Sequence, residues 1–158
     1  MCLIVDANVA GRFLAQPGAI VDWLFGDRGI PRLVAAGKLR EELAVLTEVR
    51  RLLVTLERAG RLRSADPHRL QTEEARLRIA NRCVSNDHHV LALALVTGAR
   101  TLATDDGALA RDFKNVHLIA APRGKIYRDP GIHGRLLGHT PKSCGISPGN
   151  TGPRRRHR

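Results

Sequence analysis

Aromatic residues make up only 3% of the 158 positions, with a single Met, Trp and Tyr, so the interior is left to aliphatic side chains. A hydrophobic share of 43% built from Leu, Val, Ile and Ala suits an α/β domain of buried strands and helices. Cysteine is scarce too. Cys2, Cys83 and Cys144 are odd in number and far apart, without C-x-x-C spacing, which argues against a disulfide framework and against a zinc ribbon. A reducing, cytoplasmic setting is expected. No apolar run approaches ~18 residues and the N-terminus lacks a basic leader, so neither a membrane span nor a signal peptide is read. Acids are missing from one region above all. Residues 122–158 hold nine Lys/Arg against Asp129 alone, a charge of +8, whereas residues 1–121 carry +3 of the formal +11. That basic end favours a polyanionic partner, nucleic acid first.

The length sets one domain, with room for an appended tail. "CLIV" is an apolar run suited to a strand buried on both faces, followed by short helices over residues 7–15 and 18–25. "PRLVAA" reads as the next strand, and residues 38–59 as one long amphipathic helix closed by Gly60. Residues 66–82 read as a charged surface helix. "SNDHHVLALALVTGA" reads as a further helix with Ser85 as N-cap. "RTLAT" is a strand, "DGALARDF" a short helix and "VHLIAA" a last strand. Strands alternating with helices predict a three-layer α/β/α domain with a central parallel sheet of four to five strands. The domain is expected to span 1–121. Residues 122–158, with seven Gly and five Pro, read as a low-complexity, disordered basic tail.

The acids carry the chemistry. In the long helix Leu39, Glu42, Leu46, Val49, Leu53 and Leu56 form one stripe, so Glu42 holds a core-facing position, while Glu41 shares a face with Glu48 and reads as solvated. A carboxylate within a leucine stripe is costly unless something pairs with it. One turn before the stripe of Val90, Leu91, Ala94 and Leu95 stands Asp87, in a first turn where the helix dipole favours negative charge. Asp106 stands three residues before Leu109 of the inward stripe Leu109 and Phe113, and Asp105 is adjacent. Asp6 ends the first strand. A helix of about 15 residues after Asp87, roughly 22 Å long, and a strand of roughly 17 Å return the chain to one sheet edge. Four inward-leaning carboxylates thus gather at the carboxyl edge of a parallel sheet, where open α/β folds place ligands. Two carboxylates about 5 Å apart repel by roughly 3 kcal/mol at an effective dielectric of 20. A hard divalent cation resolves that repulsion, and all-oxygen ligation selects Mg²⁺ or Mn²⁺ over zinc.

With these residues in place, the chain resembles a PIN-domain nuclease over about residues 2–119. The resemblance rests on "LIVDAN", "KLREEL", "SNDHHVLALAL" and "TLATDDGAL". It implies a five-stranded parallel sheet and a Mg²⁺- or Mn²⁺-dependent endoribonuclease site, with RNA as substrate. It further implies Asp6, Glu42, Asp87 and Asp106 as catalytic metal ligands, with Asp105 assisting or replacing Asp106, and Asn8 and Thr104 as supporting residues. Many bacterial members are VapC-type toxins of toxin-antitoxin pairs, so an antitoxin protein and a homodimer are the further partners it brings into view. Two other readings compete. "LIVDANVA" also resembles the first motif of haloacid dehalogenase-type phosphatases, although Asn8 stands where that family has its second Asp. A non-catalytic RNA-binding module using the basic tail is the third.

Overall fold

The computed structural model describes residues 2–26 and 32–138, and everything below concerns those. Five strands form one parallel sheet: β1 (Cys2–Val5), β2 (Arg32–Val34), β3 (Leu62–Arg63), β4 (Thr101–Ala103) and β5 (Lys125–Tyr127), in the spatial order β3-β2-β1-β4-β5. Eight helices pack around it in a three-layer α/β/α arrangement: α1 (Ala7–Phe13), α2 (Ala19–Leu24), α3 (Gly37–Leu43), α4 (Thr47–Arg58), α5 (Pro67–Ala80), α6 (His88–Thr97), α7 (Gly107–Lys114) and α8 (Pro130–Gly138). None is long and apolar enough to cross a membrane.

The sequence dictates the centre of this sheet directly. All four residues of β1 are buried, as an apolar run without alternation requires when helices cover both faces. β1 lies between β2 and β4, in register Leu3 with Leu33 and Ile4 with Leu102. After β1 the chain builds outward through β2 and β3, then crosses to the other side of β1 to lay down β4 and β5. The gap between the carboxyl ends of β1 and β4 is therefore the topological switch point, the crevice in which open α/β sheets place ligands. α6 is apolar nearly all round and is buried from His89 through Ala94, as expected of a helix enclosed by its neighbours. Gly98, in the left-handed region at φ +78°, ends it and turns the chain into β4.

Four expectations change. The helix expected over 38–59 is two, because Leu46 adopts an extended conformation as the N-cap of α4. Leu39 and Leu43 are then buried by α3, and Val49, Leu53 and Leu56 by α4, each at its own angle. The N-cap of α6 is Asp87 rather than Ser85. The strand expected at "VHLIAA" is a turn, in which the Leu118 and Ile119 amides both donate to the Asn115 carbonyl at 3.0 and 2.9 Å. The fifth strand is Lys125–Tyr127, so sheet and helix continue past the boundary expected at 121 as far as Gly138. The remainder of the expected tail, 139–158, lies outside the described residues. Cys83 is free.

Gly124 makes β5 possible. A Cβ there would stand 2.1 Å from the Phe113 carbonyl oxygen and 2.6 Å from its ring, so only a glycine lets the chain pass over the end of α7 into the edge strand.

Candidate functional site

Asp6 leaves β1 at the switch point, its amide donating to the Ala103 carbonyl of β4 at 2.9 Å, and it is only 4% exposed. Across the crevice, the fully buried Thr104 joins two acids. Its hydroxyl donates to Asp6 Oδ2 at 2.8 Å and accepts the Asp106 backbone N–H at 3.0 Å. Asp106 in turn caps α7, its Oδ1 accepting the Leu109 amide at 3.1 Å. Asp87 caps α6 by position, yet its carboxylate makes no capping hydrogen bond and is not spent on the helix end.

These groups act on one another. Burial pushes the Asp6 carboxyl above its ordinary value, and the negative charges of Asp87 and Asp106 push it further the same way. The Thr104 hydroxyl and the Asn8 backbone amide oppose the rise. Among the described residues, no basic side chain is among the charges acting on it, and none of the three aspartates forms an ion pair with Lys, Arg or His. Asn8 itself is exposed and contributes through its main chain.

The other acids expected here are otherwise engaged. Glu42, on α3, places Oε1 2.9 Å from Nε2 of His89, a ring that is almost fully buried on α6. The approach is close in distance but not aligned as a hydrogen bond, since Glu42 Oε1 has no hydrogen-bond partner and His89 Nδ1 has none either. Glu41 is exposed, and lines a neighbouring cleft with Lys38, Gln71, Glu74 and His89. Asp105 pairs with Arg12 at 3.1 Å, both side chains being half exposed. Among the described residues, no three His, Cys, Asp or Glu side chains stand close enough together to hold one ion directly. The chemistry of the donor set nevertheless fits a hard cation: carboxylate oxygens, mutually repelling, without a compensating base among the described residues.

One residue that organises the site went unread in the sequence. Asp112 of α7 is 2% exposed, and its two oxygens accept the Val84 and Ser85 amides at 2.9 and 2.8 Å. It thus grips the loop that leads into Asp87, and Ser85 Oγ completes the link by accepting the Asp87 amide at 3.2 Å. The signal was present. Asp112 lies three residues after Leu109 on the buried face of α7, the same placement that singled out Glu42 on its helix. His89, four residues before Leu93 on the buried helix α6, carried a comparable signal.

Fold and site together define a parallel α/β domain with an acidic crevice at its switch point. Comparison with protein-family models, with curated proteins and with solved structures finds no match.

Proposed function

We propose that the protein is a divalent-metal-dependent endoribonuclease of the PIN-domain kind, hydrolysing RNA phosphodiester bonds at the crevice of Asp6, Asp87 and Asp106. The observation that supports this best is the condition of Asp6: buried, repelled by two other carboxylates, and without a basic partner among the described residues. Such an arrangement is costly in a protein that leaves it uncompensated, and a cation relieves it.

When bound, Mg²⁺ or Mn²⁺ supplies positive charge for a phosphoryl oxygen and lowers the pKa of a coordinated water. Magnesium keeps several of its waters and is held by one or two carboxylates directly, so the three acids need not converge on one point. Asp6 is the rigid member of the set, fixed by Thr104 and by its place at the end of β1. Asp106 is held by its cap to α7, and Asp87 presents a carboxylate that no helix end claims. Glu42 stands beside His89, two residues along the chain from Asp87.

The test uses the full chain, a labelled RNA and either ion. Cleavage is expected with Mg²⁺ or Mn²⁺, and is expected to disappear on chelation and in both Asp6→Asn and Asp87→Asn variants whose circular dichroism is unchanged. Full activity in chelator, or in either variant, overturns the proposal.

A further inference from the structure

A second cluster lies along the edge strand β5 and takes no part in that chemistry. Lys114 at the end of α7, Ile126 and Arg128 from β5 and its continuation, and His133 of α8 line a shallow cleft of about 270 Å³. Among the described residues, no carboxylate lines it. Among the described residues, neither Lys114 nor Arg128 is in an ion pair. The nearest acid in sequence, Asp129, uses Oδ1 to accept the Gly131 amide at 2.7 Å. Arg12, which reaches the Arg128 carbonyl at 3.4 Å, commits its own charge to Asp105.

His133 sharpens the site. Its Nδ1 accepts both the Arg128 and the Asp129 backbone N–H groups, at 3.0 and 3.1 Å. A ring nitrogen that accepts two such bonds keeps its lone pair, so the proton of the neutral ring sits on Nε2. The imidazole is therefore a fixed donor. Together with an ammonium and a guanidinium beside the apolar Ile126, it brings three side-chain donors to one cleft, which is what an oxyanion requires.

Its location relates it to the acids. The Thr104 amide donates to the Tyr127 carbonyl at 3.3 Å, and Ala103 is in register with Tyr127. Arg128 thus emerges from the edge that carries Thr104 and Asp106, two strands from Asp6. At about 4.8 Å per strand that is about 10 Å, a reach of the order of a nucleotide or two along a nucleic-acid backbone.

We propose that Lys114, Arg128 and His133 bind a backbone phosphate of the RNA, a nucleotide or two from the bond that is cut. The assignment to RNA rests on the nuclease reading; the cleft's preference for an oxyanion rests on its own side chains.

The experiment reads binding rather than cleavage. A labelled single-stranded RNA of about ten nucleotides is titrated with the full chain in chelator, at several salt concentrations from about 50 mM upward. Arg128→Gln and Lys114→Gln are each expected to weaken binding about threefold to tenfold at the low end. Because both cations are placed on one phosphate, it is the Arg128→Gln and Lys114→Gln double variant that is expected to reduce the slope of log K against log salt by about 0.7, the value for one phosphate contact on a single strand. His133→Asn keeps an acceptor for the two amides but loses the Nε2 donor. It is expected to weaken binding and leave the slope unchanged. A slope that stays at its wild-type value in the Arg128→Gln and Lys114→Gln double variant overturns the proposal. So does calorimetric binding of inorganic phosphate that these substitutions abolish while RNA affinity stays the same, which makes the cleft a site for free phosphate. Because these measurements need no metal, their failure counts against the cleft alone. Failure of the nuclease reading shows instead as RNA left intact when metal is added.

Discussion

Asp112→Asn tests the inner architecture most directly. The wild-type carboxylate accepts two backbone amides at 2.9 and 2.8 Å from a position almost sealed from solvent. Bonds to a charged acceptor contribute about 1.5 to 3 kcal/mol each. Asparagine retains one oxygen. Ser85 is 5% exposed and Val84 65% exposed, so the amide of Val84 can find water and that of Ser85 cannot. The remaining oxygen therefore turns to Ser85, and its NH₂ group faces the Val84 donor. We expect a loss of about 2 kcal/mol, one charge-assisted bond weakened and another given up to water. Asp112→Ala leaves the Ser85 amide orphaned in the interior and is expected to cost about 3 to 4 kcal/mol. For a chain of this length, about 2 kcal/mol lowers the melting temperature by about 4 to 8 °C. Urea unfolding measures the first quantity, and hydrogen exchange at the Ser85 amide reports whether the clamp has opened. The loop beyond the clamp carries Asp87, so the Asn variant should also bind Mn²⁺ more weakly than wild type. An Asn variant within about 0.5 kcal/mol of wild type, with Ser85 exchange unchanged, refutes the reasoning.

Two further outcomes follow from the same geometry. The Asp6 carboxyl lies above its ordinary value of 3.8 because burial, Asp87 and Asp106 outweigh the Thr104 hydrogen bond and the Asn8 amide. The folded state therefore holds this proton more tightly than the unfolded chain does. The stability it contributes is fully present below 3.8 and is lost as pH rises through the folded-state value. In chelator at neutral pH, Asp6→Asn should melt above wild type, with the gap closing as pH falls towards 3.8. Mn²⁺ should raise the melting temperature of wild type but not of the variant. Thermal unfolding across pH measures both, and a wild-type protein at least as stable as the variant in neutral chelator defeats the argument. Gly124→Ala places a methyl group 2.1 Å from a main-chain oxygen that cannot move without unwinding the end of α7. The expected cost is about 3 kcal/mol, the upper end for overpacking, and a urea midpoint equal to wild type would falsify the close approach.

The parts of this fold that could be read from sequence are those in which burial alone decides. Four consecutive apolar residues ahead of Asp6 admit little besides a strand covered on both faces, and that strand is the sheet's centre. At the margins burial decides less. "VHLIAA" is more strand-like than "KIY", yet Leu118 and Ile119 are buried from a turn, and Ala120 gives its carbonyl to the Arg100 guanidinium at 3.1 Å. The edge strand has an exposed lysine at its start, as unpaired sheet edges often do, and its apolar signal is correspondingly weak. A two-residue strand such as β3 has no period to detect at all.

The site divides along the same line. That acids crowd one sheet edge follows from where strands end and helices begin, which periodicity reveals. Which oxygen faces which does not, because it is settled by single hydrogen bonds between distant segments. Leu46 breaks the stripe that put Glu42 on one core face with Val49 and Leu53, and which partner its carboxylate meets, His89 on α6, is settled by packing. Asp105 and Asp106 are indistinguishable as neighbours in a chain. Thr104 separates them by accepting the amide of Asp106, which turns that carboxylate onto α7 and leaves Asp105 to Arg12. The same threonine binds Asp6. One hydroxyl thus fixes both walls of the switch point, so the acidity of the crevice depends on a neutral residue that no count of charges would select.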